Sequence, residues 1–232
     1  MISVVVPVYN ESDILGANIV RLSRAMDSLG KDYEIVIAED GSTDGSHEAA
    51  KNLEGPGIRV LHSELRLGKG RAIANAMRSC VADIVVITDA DLSSGPAQIP
   101  VLIAALEHGA NIAIGSRLLP ASRLHNRNPP RGMLSRAYNL LVRILFGTGV
   151  SDHQCGFKAF HRKRILEVLA ETRDGGWFWD TELIVRAKRA GLKVVEVPVE
   201  WNERGSSRFI LLSDVPAMAL SLLWLRLRLW GS

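Results

Sequence analysis

The 232-residue sequence predicts an α/β fold, a largely parallel sheet flanked by helices on both faces. Three observations predict it. Short runs of β-branched residues alternate with amphipathic segments from Ile2 to about Gly115. The strand candidates are apolar throughout, as in sheets covered on both sides. Strand, helix, strand, helix at this spacing requires right-handed crossovers, which place helices on both faces.

Ile2 to Val8 is the first strand, and Tyr9-Asn10-Glu11-Ser12 turns it into a helix reaching about Leu29. Ile14, Leu15, Ile19, Leu22 and Met26 line the apolar face of that helix. Tyr33 to Ala38 is the second strand, ending in Glu39-Asp40-Gly41-Ser42-Thr43-Asp44, with a helix to about Leu53. Ile58 to His62 is the third strand, and Gly68-Lys69-Gly70 opens a helix to about Cys80. A fourth strand leads to Asp89, followed by a helix across Ile99 to Glu107 and a strand from Ile112 to Gly115.

Beyond Arg117 a loop rich in Pro, Asn and Arg runs to Arg131, and Pro129-Pro130 argue against one helix carrying Arg123, Arg127 and Arg131. Met133 to Phe146 reads as a helix with a narrow polar stripe of Arg136, Asn139 and Arg143. Its wide apolar arc suits either core packing or an in-plane membrane helix. Gly156 to His161 is a strand beneath the site, Lys163 to Ala170 a helix, and Asp180 and Glu182 begin another running to Ala190. Lys193 to Val197 is the last strand, and Glu203 to Arg208 a basic Gly/Ser loop. Phe209 to Leu225 is mostly apolar but interrupted by Asp214 and Pro216, short of the ~20 residues that a membrane span requires. Trp224, Arg226, Arg228 and Trp230 suit a membrane interface, so a monotopic anchor is expected. The expected divisions are 1–208 as one unit (halves 1–116 and 117–208, with an interface helix at about 131–147) and 209–232 as the anchor.

Composition narrows the function. A hydrophobic content of 47% is ample for a core, and a net charge of +3 does not favour nucleic acid as a partner. Cys80 and Cys155 match neither a disulfide framework nor zinc-ligand spacing. Met1 leads directly into a strand, so no signal peptide is expected.

Three strand ends carry chemistry on one sheet edge, where ligands of open α/β sheets bind. The first presents Pro7, Tyr9, Asn10 and Glu11, the second Glu39 and Asp40, and the fourth Asp89, Ala90 and Asp91. In an extended segment Asp89 and Asp91 point the same way and can share one Mg²⁺ or Mn²⁺, with phosphate oxygens and water completing the shell. The alternative is a helix N-cap ahead of Pro96. Gly68-Lys69-Gly70 is not a P-loop, because Ser63 stands at the first glycine position and Arg71 replaces Ser/Thr. Lys69 at a helix start either helps to hold a diphosphate or is a solvated turn lysine.

Taken in order, Val6-Pro7-Val8-Tyr9-Asn10-Glu11, Glu39-Asp40-Gly41-Ser42, Gly68-Lys69-Gly70 and Asp89-Ala90-Asp91-Leu92 resemble a family-2 glycosyltransferase of GT-A fold. Gly115-Ser116-Arg117, Arg131 with Ser135, Asp152 through Lys158, Trp179-Asp180-Thr181-Glu182 and Val197-Pro198-Val199-Glu200-Trp201 extend the similarity toward the dolichyl-phosphate mannose synthase and polyprenyl-phosphate glycosyltransferase branch. The resemblance implies transfer of a hexose, mannose first, from a nucleotide diphosphate sugar to polyprenyl or dolichyl phosphate. GDP-mannose is then the favoured donor and UDP-glucose the other.

It also implies that Arg117, Arg131 and Ser135 bind the acceptor phosphate, and that Pro7, Tyr9, Glu11, Glu39, Asp40, Lys69 and Ala90 bind the nucleotide. Asp180, Glu182, Arg204 and Arg208 are implied in supporting roles. Asp180 and Glu182 are equally explained by a helix dipole. No histidine has an evident orienting partner in the sequence, and an acceptor phosphate already ionised needs no general base. Ser93 stands where mannose synthases often have glutamine. Two rivals stay open: a saccharide or protein acceptor, which would need Asp180 or Glu182 as a base, and a binding protein without turnover. The expected location is peripheral, on the cytoplasmic face of a membrane.

Overall fold

The structure is a computed structural model that describes residues 1–126, 129–203 and 211–230; of Arg131, residues 211–216 and Trp230 only the backbone is described. Seven strands form the main sheet: β1 (Ile2–Val8), β2 (Tyr33–Asp40), β3 (Ile58–Ser63), β4 (Ile84–Ile87), β5 (Ile112–Ser116), β7 (Lys158–His161) and β8 (Val194–Pro198). Their order is β3-β2-β1-β4-β7-β5-β8. All pairs are parallel except those of β7, which runs antiparallel between β4 and β5. Ala159 therefore sits between Val86 on one side and Ala113 on the other.

The helices are α1 (Ser12–Asp27), α2 (Ser46–Lys51), α3 (Lys69–Ser79), α4 (Ile99–Glu107), α5 (Pro129–Phe146), α6 (Arg162–Glu171), α7 (Trp179–Arg189) and α8 (Leu211–Trp230). Val4, Val5, Val6, Ile35, Ile37, Val85 and Val86 are buried together with Leu15, Ile19, Leu22 and Met26 of α1. Each such side chain contributes about 1.5–3 kcal/mol by leaving water, which is why the β-branched runs fix the sheet. Close packing of α3 against α7 requires glycine: a Cβ on Gly70 would lie 2.3 Å from Cβ of Trp179.

Four features depart from the sequence expectation. β2 continues through Glu39 and Asp40, so these neighbours point to opposite faces of the sheet. The supposed loop after Arg117 contains β6 (Arg123–His125), paired in parallel with β9 (Glu200–Asn202) as a separate two-stranded sheet. Helix α5 starts at Pro129 and Pro130, ahead of the expected Met133, in the first turn, where their lack of N–H costs nothing; as expected, no helix carries Arg123 together with Arg131. Asn139 does not belong to an exposed stripe, being buried, whereas Arg136 and Arg143 are exposed.

A second core joins α5, α7 and α8, with Val142, Phe178, Val185, Met218, Leu222, Leu225 and Leu229 buried in it. The C-terminal helix thus docks on its own chain. Met133, Leu140, Leu141 and Ile144 of α5 and Leu220, Leu223, Trp224 and Leu227 of α8 remain exposed. Among the described residues, no helix is long and apolar enough to cross a membrane.

Candidate active site

β4 stops at Ile87, and Asp89 to Leu92 form a turn closed by the Leu92 N–H on the Asp89 carbonyl (3.0 Å). The alternation of an extended strand therefore does not apply to Asp89 and Asp91, which correct that expectation by sitting in a turn. They are still electrostatic neighbours, but differently held. Lys69 Nζ donates to Asp89 Oδ1 at 2.5 Å. Burial opposes ionisation of Asp89, yet Lys69, Lys158 and Arg117 outweigh it and keep its carboxyl below the usual range. Asp91 shifts the other way, pushed up by burial and then by the charge of Asp89. Two donors from Ser93, its N–H at 3.0 Å and its hydroxyl at 2.5 Å, offset this only in part. Ser93 therefore orients Asp91 directly. Gly156 completes the pocket, since a Cβ there would lie 2.2 Å from Asp89 Oδ2.

The cations around the pair come from different elements. Lys69 opens α3 behind Gly68, whose φ of 98° and approach to the Gly175 carbonyl (a Cβ would lie at 2.4 Å) both demand glycine. Burial works against its ammonium, but Asp89, Asp180 and Asp91 raise its pKa. It also lies 5.3 Å from the centre of the Trp177 ring. Arg117 follows β5 and grips buried Asp152 with its fork, Nε to Oδ2 at 2.7 Å and Nη2 to Oδ1 at 3.0 Å. Burial raises the Asp152 carboxyl, but Arg117 overrides it and holds it down at about 2. Arg117 also stands over Trp201, 5.1 Å from the ring centre. Its charge reaches Asp89, which helps to raise its own pKa against burial.

Ser135 lies on α5, and its buried hydroxyl has no hydrogen-bond partner among the described residues. The side chain of Arg131 and residues Arg204 and Arg208 lie outside the described residues. Asp180 receives Lys158 Nζ at 2.6 Å, so it joins the charged cluster rather than merely capping α7. Glu182 is committed elsewhere: one oxygen takes the N–H groups of Arg173 (3.1 Å) and Asp174 (2.8 Å), and the other takes Arg186 Nε (2.8 Å). That makes it a clamp for the loop before α7.

At the nucleotide end, the Asp40 carboxylate accepts the N–H groups of Leu67 (2.7 Å) and Gly68 (3.0 Å). Arg66 stacks on Tyr9, 3.9 Å from the ring centre. Pro7 lies in β1 opposite Ala38. The Ala90 carbonyl accepts from Asn18 (2.8 Å), and the Glu11 N–H donates to Ser46 Oγ (2.7 Å). Glu39 turns away from Asp40, accepting the Ser42 N–H at 2.6 Å and facing His62 at 2.5 Å.

Some histidines do have orienting partners, contrary to expectation: among them His62 has Glu39, and buried His153 has Asn139 (2.7 Å) and Thr148 (2.9 Å). Neither hydrogen-bonds to Asp89 or Asp91. Lys158, Asp152 and Arg66 went unassigned in the sequence. A lysine between apolar residues in Phe157-Lys158-Ala159-Phe160 was the one readable signal, because a buried lysine requires a partner.

Together the sheet and the acidic turn define a GT-A-type domain, with the acidic turn at the carboxyl edge of β4 beside β1. Residues 3–169 match the Glycosyl transferase family 2 model, and the chain belongs to that family. It is 39% identical over 228 residues to Glycosyltransferase AglD of Haloferax volcanii, covering 96% of this chain and 36% of that protein. The chain thus spans about a third of that relative. It is 33% identical over 234 residues to Dolichyl-phosphate beta-glucosyltransferase ALG5A of Trichomonas vaginalis, covering 96% of this chain and 72% of the relative. Glucosyl-3-phosphoglycerate synthase from Mycobacterium tuberculosis, solved with phosphoglyceric acid, shares the fold with a TM-score of 0.70 at 23% identity, over 98% of this chain and 79% of that one. The same synthase has been solved with Mn²⁺ and UDP, with a TM-score of 0.69, 22% identity and the same coverage.

Proposed function

We propose that this glycosyltransferase moves a hexose from a nucleotide diphosphate sugar to a polyprenyl or dolichyl phosphate at a membrane surface. The observation that carries the proposal is the charge arrangement at the β4 turn: Asp91 beside Asp89, with Lys69, Lys158 and Arg117 acting on the latter. Such a site accommodates two anions at once, a leaving diphosphate and an incoming phosphate.

The donor set suits a divalent cation. Asp91 offers carboxylate oxygens whose charge is disfavoured by burial and by Asp89, a strain that a hard cation relieves. With Asp91 as the main protein ligand and Asp89 beside it, a bound Mg²⁺ or Mn²⁺ supplies neutralisation of the leaving diphosphate. Lys69 adds fixed positive charge, and Tyr9 with Arg66 offers a face for the base. Arg117, locked by Asp152, presents positive potential without needing to reorganise. The unpartnered Ser135 hydroxyl donates to an acceptor phosphate oxygen, and Arg131 is assigned to the same phosphate. No general base is assigned, because the acceptor oxygen is already ionised; in-line displacement then inverts the anomeric centre.

Glucose and mannose are both carried forward. The names of the Trichomonas relatives support glucose, and UDP-glucose is the donor we place first, with GDP-mannose second. The exposed apolar faces of α5 and α8 support the membrane location.

The test is incubation with short-chain polyprenyl phosphate, Mg²⁺ or Mn²⁺ and a panel of labelled nucleotide sugars, following label into the lipid phase. Lipid-borne label is expected, and label only in water-soluble product overturns the acceptor assignment. Asp91→Ala is expected to lower kcat on the order of 10²–10³-fold, the scale of losing one preorganised charge-stabilising group.

A further inference from the structure

Outside the proposed catalytic cleft, three side chains from β2, α2 and β3 converge: Glu39, His47 and His62 each offer one donor atom, and all three atoms lie within 4.8 Å of one another. Glu39 is fully buried, and its Oε2 faces His62 Nδ1 at 2.5 Å and His47 Nδ1 at 3.9 Å. Its other oxygen is occupied by the Ser42 N–H, which fixes the carboxylate and turns Oε2 toward the histidines. His47 Nδ1 is buried and has no hydrogen-bond partner among the described residues. The two imidazoles are 3.8 Å apart between ring centres. A polar nitrogen shielded from water, with no partner, beside a second imidazole and a carboxylate, is costly unless something joins them.

We propose that Glu39, His47 and His62 form a second cation site, selective for a borderline transition metal of the Zn²⁺ type. Two imidazoles and one carboxylate make a three-ligand set for Zn²⁺, with the fourth position open to water. Nitrogen donors set it apart from the all-oxygen pair at Asp89 and Asp91, which selects Mg²⁺ or Mn²⁺. Tetrahedral Zn²⁺ needs donor atoms about 3.4 Å apart, so the His62 contact must open and the His47 contact close by less than about 1 Å each. His62 Nε2 lies 3.7 Å from the exposed Glu64 carboxylate, within reach of the hydrogen bond that would fix a ligating imidazole once the ring shifts. Access is present too, because the His47 and His62 side chains are both partly exposed, at 34% and 28%. The metal would tie α2 to the sheet edge at β3 and brace Ser42, whose Oγ accepts the Asn10 N–H (2.9 Å) beside the nucleotide loop.

The test uses the full chain, stripped of metal and titrated with Zn²⁺ in excess Mg²⁺ by calorimetry, with the histidine side-chain nitrogens followed by NMR. One Zn²⁺ per chain is expected, with the Nδ1 signals of His47 and His62 shifting together and Tm rising. His47→Gln and His62→Gln should each weaken binding by more than about 100-fold, beyond the usual cost of an outer-shell change. Asp91→Ala should bind Zn²⁺ as before. Absence of saturable Zn²⁺ binding in excess Mg²⁺ leaves only a stacked ion pair and overturns the proposal. Binding abolished by Asp91→Ala, or unmoved by both histidine variants, overturns it equally. If the variants fail to fold, the imidazole signals of the wild-type chain decide.

Discussion

His153 is buried between two partners that dictate its tautomer. Asn139 Oδ1 can only accept, so His153 Nδ1 carries the proton, and Nε2 accepts from the Thr148 hydroxyl. Burial first, with the positive charges of Lys158 and Arg143, lowers its pKa to about 4 despite Asp152. The unfolded chain binds a proton below ~6.5 whereas the folded chain does not until about 4, so stability falls as pH drops through that window. The loss amounts to about 3 kcal/mol by pH 4, and urea unfolding between pH 7 and pH 4 measures it. His153→Gln should flatten the slope across that window. The link matters for the site, because the Asn139 amide also donates to the Ser135 carbonyl (2.9 Å) and so ties the 147–157 loop to the helix turn carrying Ser135. None of this was legible in the sequence: Asn139 sits in helical phase with Arg136 and Arg143, and only the burial of one separates it from the exposure of the others.

Between elements, Lys158 of β7 and Asp180 of α7 form a buried strut, with Lys158 also donating to the Cys155 carbonyl. Lys158→Met leaves Asp180 with a buried charge and is expected to cost about 3–5 kcal/mol in urea unfolding. Adding Asp180→Asn should recover part of that loss, which separates the charge penalty from lost packing. The strands and most helices were readable, because β-branched runs such as Ile2–Val8 and apolar faces such as Leu15, Ile19, Leu22 and Met26 encode burial locally. What escaped was encoded at long range. Arg117 and Asp152 are 35 residues apart, and β6 finds β9 across a long stretch of intervening chain. Pro129-Pro130 correctly barred a helix through Arg123 and Arg131, but the start of α5 was placed too late, because proline forbids a helix interior yet suits a helix start. The paired acids were located correctly in the chain, but their geometry was not, because the strand ends two residues before Asp89.

At the scale of the molecule, α5 and α8 lie together and leave an apolar outer face. Leu220, Leu223, Trp224 and Leu227 recur at helical spacing on α8, opposite the buried Met218, Leu222, Leu225 and Leu229. A helix apolar on both sides is packed on one and calls for a non-aqueous neighbour on the other. The full chain is expected to float with anionic phospholipid vesicles, and Leu223→Glu with Leu227→Glu to remain in the aqueous fraction without a change in Tm. A paired loss of flotation and Tm would instead mean that the face belongs to the core.

The antiparallel strand at the middle of the sheet has a further consequence, for the order of assembly during synthesis. β5 touches β7 and β8 but not β4, so a nascent chain released only as far as Ser116 holds a strand with no neighbour to zip onto. Closure waits for Lys158–His161 to emerge and bridge both flanks at once. A fragment cut after residue 116 therefore has an orphan strand rather than a completed sheet.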